Sequence, residues 1–191
     1  MARRKDHTRE ELTALATKCG QQLVIAEGPS ALTARNVAKM MGYTAGTLYN
    51  IFENIDGLAA AINIQSMDSF AKGIEEILRH NAKPKKRLRL ISKAYLTFQE
   101  EEPYLWALLF ATPINSDSDA YRQAVHRIFD QVAEALQPLS GSAKAARQDA
   151  KILWSTLHGI CLLKEHGKLD VSTTDTPEEL VKRFLDQFLQ K

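Results

Sequence analysis

Residues 32–52 read LTARNVAKMMGYTAGTLYNIF, and their punctuation leaves the chain little choice of local fold. Thr33 stands where a helix N-cap is wanted, and Leu32 and Val37 have the spacing of a hydrophobic staple across it. Gly42 comes where a helix end turns left-handed. Thr44 is a second cap almost at once, and Tyr43 and Leu48 repeat the staple. Two short helices joined by so tight a turn must cross at close range, and Ala38 is small where they meet. This predicts a helix-turn-helix over about 32–52, whose second helix is the one that can enter a DNA major groove. A plain pair of packed helices shares the same spacing, so the surface chemistry has to decide.

The second helix is made of weak helix formers, Gly46 and Thr47 among them. With Leu48 set inward on a helical wheel, Gly46 and Asn50 fall nearly opposite, with Thr47 and Tyr49 on the shoulders. An ordinary solvated helix would carry Glu or Lys on such a face. Short groups, hydroxyls and an amide suit a base edge or a phosphate instead. Asparagine can bridge adenine N6 and N7, a threonine methyl can meet a thymine methyl, and hydroxyls can hold phosphate. Arg35, in the first turn of the preceding helix, lies on the same side. Thr33, Arg35, Thr44, Ala45, Gly46, Thr47, Tyr49 and Asn50 are therefore the candidate DNA-contact residues.

The rest of the chain reads as helix throughout, an all-α fold of about nine helices. Apolar residues recur at three and four, strict alternation is absent, and Pro and Gly fall at boundaries. A capping box of Thr8 and Glu11 starts the first helix, which stops near Glu27. A helix over about 54–79 leads to a compositional change near 80–86. Longer, more apolar helices follow, among them YLWALLF after Pro103, apolar nearly all round and hence buried. TPINSDSD and QPLSGSA read as loops, and Thr176, Pro177 and Glu179 open the last helix. The expected domains are residues 1–60 and 80–191, linked by the shared helix.

A net charge of +2 on 191 residues excludes a polycation that coats nucleic acid indiscriminately; DNA contact must come from a local surface. Cys19 and Cys161 match no metal or redox spacing and read as buried thiols of a reducing compartment. MARRKDHTREE has no signal-peptide pattern and no apolar run approaches a membrane span, so a cytoplasmic chain without membrane contact is expected.

The stretch LTARNVAKMMGYTAGTLYNIFENIDGL, led by ELTALATKCGQQL, resembles the DNA-binding domain of the TetR family of bacterial transcriptional regulators. Thr33, Ala38, Gly42, Gly46, Thr47, Leu48, Tyr49, Phe52 and Leu58 carry the resemblance. LWSTLHGICLL is similar to a subgroup with a Trp-x-x-x-His-Gly signature, here Trp154, His158 and Gly159. The resemblance implies a homodimer on a palindromic double-stranded operator, most simply a repressor, with a small-molecule pocket among the C-terminal helices. Ile55 stands where the family usually has a phosphate-reaching lysine, and Asn50 and Ile51 replace a frequent aromatic–histidine pair. Backbone N–H groups at the start of that helix can substitute for the lysine. MARRK with Arg9 is either an arm against the DNA backbone or a solvated tail.

Within that resemblance Tyr95, Phe98, Trp106, Phe110, Trp154 and His158 are candidate effector-lining residues. They lack a buried charge, which favours an apolar or aromatic effector; the same aromatics can equally be core. Leu153, Leu157, Val181, Phe184 and Phe188 are the candidate dimer interface in the last two long helices. KPKKRLR, residues 83–89, reads as a solvated helix start. His158 and Cys161 are one turn apart, but an apolar stripe is a poor place to expose a nucleophile. No HExxH or similar ligand set occurs. Neither catalysis, a metal nor a cofactor is expected. The rival from another class is a helical ligand-binding or scaffold protein whose helix-turn-helix no longer reads DNA.

Overall fold

A computed structural model of the chain describes residues 7–80, 82–113, 119–171 and 174–188. These contain nine α-helices and no strand: α1 Arg9–Glu27, α2 Ala34–Met41, α3 Ala45–Ile51, α4 Ile55–Arg79, α5 Pro84–Glu101, α6 Pro103–Ala111, α7 Asp119–Leu136, α8 Ala143–Glu165 and α9 Pro177–Phe188. The all-α expectation holds. Among the described residues no helix is long and apolar enough to cross a membrane.

The caps act as the sequence requires. Thr8 Oγ1 accepts from Glu11 N at 3.2 Å while the Glu11 carboxylate accepts from Thr8 N at 2.9 Å, closing the box at the start of α1. Thr33 Oγ1 accepts from Asn36 N at 3.2 Å, and Gly42 ends α2 in the left-handed region at φ 77°, ψ 25°. Asn54 Oδ1 accepts from Gly57 N at 2.9 Å at the start of α4. Thr176 and Glu179 form the reciprocal cap of α9. Gly28, at φ 85°, leaves α1 in a conformation only glycine adopts easily, and the ring of Tyr104 lies 3.5 Å from where a Cβ would stand.

Phe52 departs from expectation. It closes the 32–52 stretch expected to be helix-turn-helix, yet it is the extended residue that ends α3, at φ −115°, ψ 135°, and is half-buried. The chain leaves the helix there to enter α4. Three short 3-10 turns, Pro29–Ala31, Gln137–Leu139 and Leu169–Val171, occupy stretches whose sequence shows only stops and loops. Single turns held by local i to i+3 bonds leave no apolar periodicity to read. Part of TPINSDSD, residues 114–118, and the MARRK arm lie outside the described residues.

Two compact units divide the chain, and neither is continuous in sequence. The first is Met1–Ser66 with Glu102–Tyr121; the second is Met67–Glu101 with Arg122–Lys191. In the first, α2 packs on α1 and α3, and α6 packs on α1 and the Pro29–Ala31 turn. Val24, Val37, Leu48, Leu58, Ile62 and Trp106 are buried there. A Cβ on Gly20 would fall 2.9 Å from Ile62 Cδ1 and 3.1 Å from Leu32 Cδ1, so any larger residue there would have to push those side-chain ends aside. Asn63, fully buried, donates to Thr112 Oγ1 at 3.1 Å and to the Leu108 carbonyl at 3.4 Å, tying α4 to the end of α6. In the second unit α5 packs on α8 and α9, and α8 on α9. Ile74, Leu88, Leu136, Leu153, Leu157, Cys161 and Leu185 form its core.

Candidate nucleic-acid interface

α3 offers the face its sequence promises. Leu48 is 3% exposed and anchors the helix, while Tyr49 is 57% exposed. Thr44, Gly46 and Asn50 are exposed with it, and Ala45 and Thr47 are half-buried on the flanks. Thr44 Oγ1 accepts from Thr47 N at 3.4 Å, and the two hydroxyls lie 3.2 Å apart. That pair both starts the helix and leaves hydroxyl capacity at its surface. A Cβ on Gly46 would meet only Thr44 Oγ1, at 3.7 Å, so the chain's own packing does not demand glycine there. The bare backbone is available to something outside the chain. On α2, Thr33 and Arg35 are exposed. The structure thus brings all eight candidate DNA-contact residues onto α2, α3 and their caps, with no long acidic side chain on α3. Beside them, one of the free N–H groups at the start of α4 is already taken, by Asn54.

The aromatic candidates separate. Trp106 and Phe110 pair at 5.0 Å within the first unit, where Trp106 is 2% exposed. Tyr95, Phe98, Trp154 and His158 belong to the second. There Tyr95 Oη and His158 Nδ1 are 3.3 Å apart, and Trp154 stacks on His158 with centroids at 5.8 Å and planes at 14°. Phe129 meets Trp154 edge-on at 5.8 Å, and Phe70 bridges Tyr95 and Phe98 at 6.0 and 6.1 Å. Sequence reasoning missed Phe70 and Phe129 as members of this set. Both sat on apolar stripes whose direction only packing decides. Ser92, fully buried one turn before Tyr95, is another unforeseen member of the α5 interior, and its hydroxyl finds no partner among the described residues.

Burial lowers the pKa of His158 below its ordinary value, with Glu165 opposing, so the ring is held neutral. Burial pushes the Cys161 thiol up to about 11, and no nucleophilic thiolate forms there near neutrality. Among the described residues no three His, Cys, Asp or Glu side chains gather as a metal site. In the basic run, Lys85, Lys86 and Arg89 are exposed; Arg89 pairs with Asp186 at 2.5 Å and Arg87 donates to the His80 carbonyl at 3.3 Å.

The dimer candidates need correction. Leu153, Leu157 and Val181 are 1%, 3% and 5% exposed, enclosed by the chain's own second unit, and cannot also face a second copy. Phe184 and Phe188 are half-buried and stack on each other at 5.0 Å. The outward apolar residues of α8 are Ile152, Trp154, Leu162 and Leu163.

A capped helix-turn-helix with a charge-free reading face, carried on an otherwise helical chain, is the build of a DNA-binding regulator. The model of the tetracyclin repressor-like C-terminal domain matches residues 88–188. The chain belongs to the TetR family of DNA-binding transcriptional regulators. It is 25% identical over 149 residues to the uncharacterized HTH-type transcriptional regulator Rv0681 of Mycobacterium tuberculosis, covering 78% of this chain and 68% of that one. It is 28% identical over 166 residues to the nucleoid occlusion factor SlmA of Vibrio atlanticus, covering 82% and 81%. The transcriptional regulator FadR from Bacillus subtilis, in complex with stearoyl-CoA, is similar in fold, with a TM-score of 0.67 at 14% identity over 92% of this chain and 95% of that one.

Proposed function

We propose that the chain is a repressor that binds a palindromic operator as a homodimer and leaves it when a small apolar or aromatic effector binds. The observation that carries the proposal is the α3 face: Thr44, Gly46, Tyr49 and Asn50 lie open while buried Leu48 holds the helix. In this reading Asn50 reads a base, and Thr33, Arg35, Thr44, Ala45, Gly46, Thr47 and Tyr49 meet bases or phosphates. Residues 1–60 read DNA and residues 80–191 bind effector and partner, with α4 shared between them.

The dimer surface is the outward side of α8, with Ile152, Leu162 and Leu163 each more than two-fifths exposed, together with Phe184 and Phe188 on α9. A Cβ on Gly159 would meet nothing within 4 Å, which leaves room there for a second helix. Two α3 copies then have to stand about 34–36 Å apart to enter successive major grooves. The stacked Trp154 and His158, with Tyr95 and Phe98, support an uncharged ring-bearing or apolar group on the effector, and the long acyl chain of the stearoyl-CoA bound by FadR supports an apolar one. An effector that favours a conformer with the wrong α3 spacing weakens operator binding by about 1–3 kcal/mol. Membership of the Trp-His-Gly subgroup belongs to this reading, as does action in the cytoplasm without turnover, metal or cofactor.

The test is a salt-dependent mobility shift with DNA from upstream of the chain's own gene. Retardation that survives excess competitor DNA is expected. Retardation no stronger than on random DNA at every salt concentration would sink the repressor reading and leave a helical ligand-binding protein.

A further inference from the structure

The last turn of α3 contains no basic residue, and the helix is only seven residues long. Its final carbonyls and its negative end therefore have no cation from their own sequence. One arrives from α1. Arg9 Nη2 donates to the Ile51 carbonyl, the last residue of α3, at 3.4 Å. On the other side of α3 the His7 ring lies 6.3 Å from that of Tyr43, the residue before the Thr44 cap. His7 Nδ1 is also 3.4 Å from the Glu11 carboxylate that closes the α1 capping box. The start of α1 thus touches the chain at both ends of α3.

We infer that the start of α1 is a clasp that sets α3 in position, with Arg9 as a positioning residue for DNA reading and not a phosphate contact. The inference rests on α3 being the DNA-reading helix. A helix this short, with Gly46 and Thr47 in its first turn, is a poor helix on its own, so an outside cation at its C-terminus shifts its population measurably. Arg9 is exposed and its bond competes with water, so the effect is modest: losing it weakens DNA binding about two- to fivefold.

The experiment compares the full chain with Arg9→Ala and Arg9→Lys. Each is titrated at several salt concentrations against an operator that the wild type selects from a random DNA pool. Amide hydrogen exchange of α3 is followed separately, without DNA. Arg9→Ala is expected to bind two- to fivefold more weakly with an unchanged salt slope, and the α3 amides to exchange faster. Arg9→Lys keeps a charged donor and restores most of both. A salt slope reduced by about one unit makes Arg9 a phosphate ligand and overturns the inference. Unchanged exchange in α3 overturns it as well. If the wild type selects no DNA, the DNA-reading role of α3 has failed by itself, and the exchange measurement still decides whether the clasp exists.

Discussion

Replacing Asn63 with leucine is expected to leave stability almost unchanged, although Asn63 is fully buried and makes two hydrogen bonds. The two side chains have the same number of heavy atoms, so no large cavity opens. The lost bonds are those to Thr112 Oγ1 at 3.1 Å and to the Leu108 carbonyl at 3.4 Å. Each contributes about 1 kcal/mol, and the longer one less. The Leu108 carbonyl is not orphaned, because Thr112 Oγ1 donates to it at 2.7 Å and Thr112 N at 3.1 Å. Against this, Asn63 Oδ1 has no donor among the described residues, and leucine removes that buried unsatisfied oxygen, worth about 1–3 kcal/mol. The two sides offset to within about 1 kcal/mol. Asn63→Asp keeps the shape but leaves a buried carboxylate to be neutralised or exposed, at a cost of more than about 3 kcal/mol. Urea denaturation at constant m-value measures both. A loss above about 2 kcal/mol for Asn63→Leu would refute the reasoning, by showing that Oδ1 has a partner worth more than the two bonds described.

Asn50→Ala should cost about 1–3 kcal/mol at the selected operator and relax base preference at one position. Equal weakening on all sequences would show that Asn50 is not a reader. Arg35→Ala should lower the salt slope of binding by about one unit if the guanidinium holds phosphate, and an unchanged slope would deny that role. His158 has a folded pKa below its unfolded value, so between those two values the unfolded chain binds the extra proton. Stability is therefore fully present above the unfolded value near 6.5 and falls as pH drops below it. His158→Gln should flatten that acid limb in melts from pH 7 to 5; an unaltered limb points to other groups. Ile152→Asp on α8 should shift the sedimentation of the chain from dimer to monomer, and a dimer persisting at micromolar concentration removes that surface.

The caps were legible because a cap works through backbone groups a few residues away: Thr33 with Asn36, Gly42 at the end of α2, Thr176 with Glu179. The inward turn of Leu48 followed from spacing alone, and with it the open face of α3. What the sequence hid depends on distance along the chain or on ambiguous faces. An apolar stripe on α8 does not say whether it meets its own bundle or a second copy, and for Leu153 and Leu157 the answer was the former. PYLWALLFA is apolar on nearly every side and so carries no direction, which is why Trp106 and Phe110 were grouped with residues of the other unit. The Arg9 bond spans 42 positions, and a basic residue near a chain start reads equally well as a tail.

The membership of α6 in the first unit has a practical consequence for protein engineering. A fragment cut at residue 60 would keep α1, α2 and α3 but lose Leu105, Trp106 and Leu108, all at most 5% exposed, along with Asn63 and both of its hydrogen-bond partners. It would bare the sides of α1 and the Pro29–Ala31 turn on which α6 lies. Exchange of operator specificity between relatives by swapping N-terminal halves would graft α1 onto a foreign α6. A chimera that transfers residues 102–121 together with 1–66 keeps the native partners, and its melting temperature should exceed that of the simple swap.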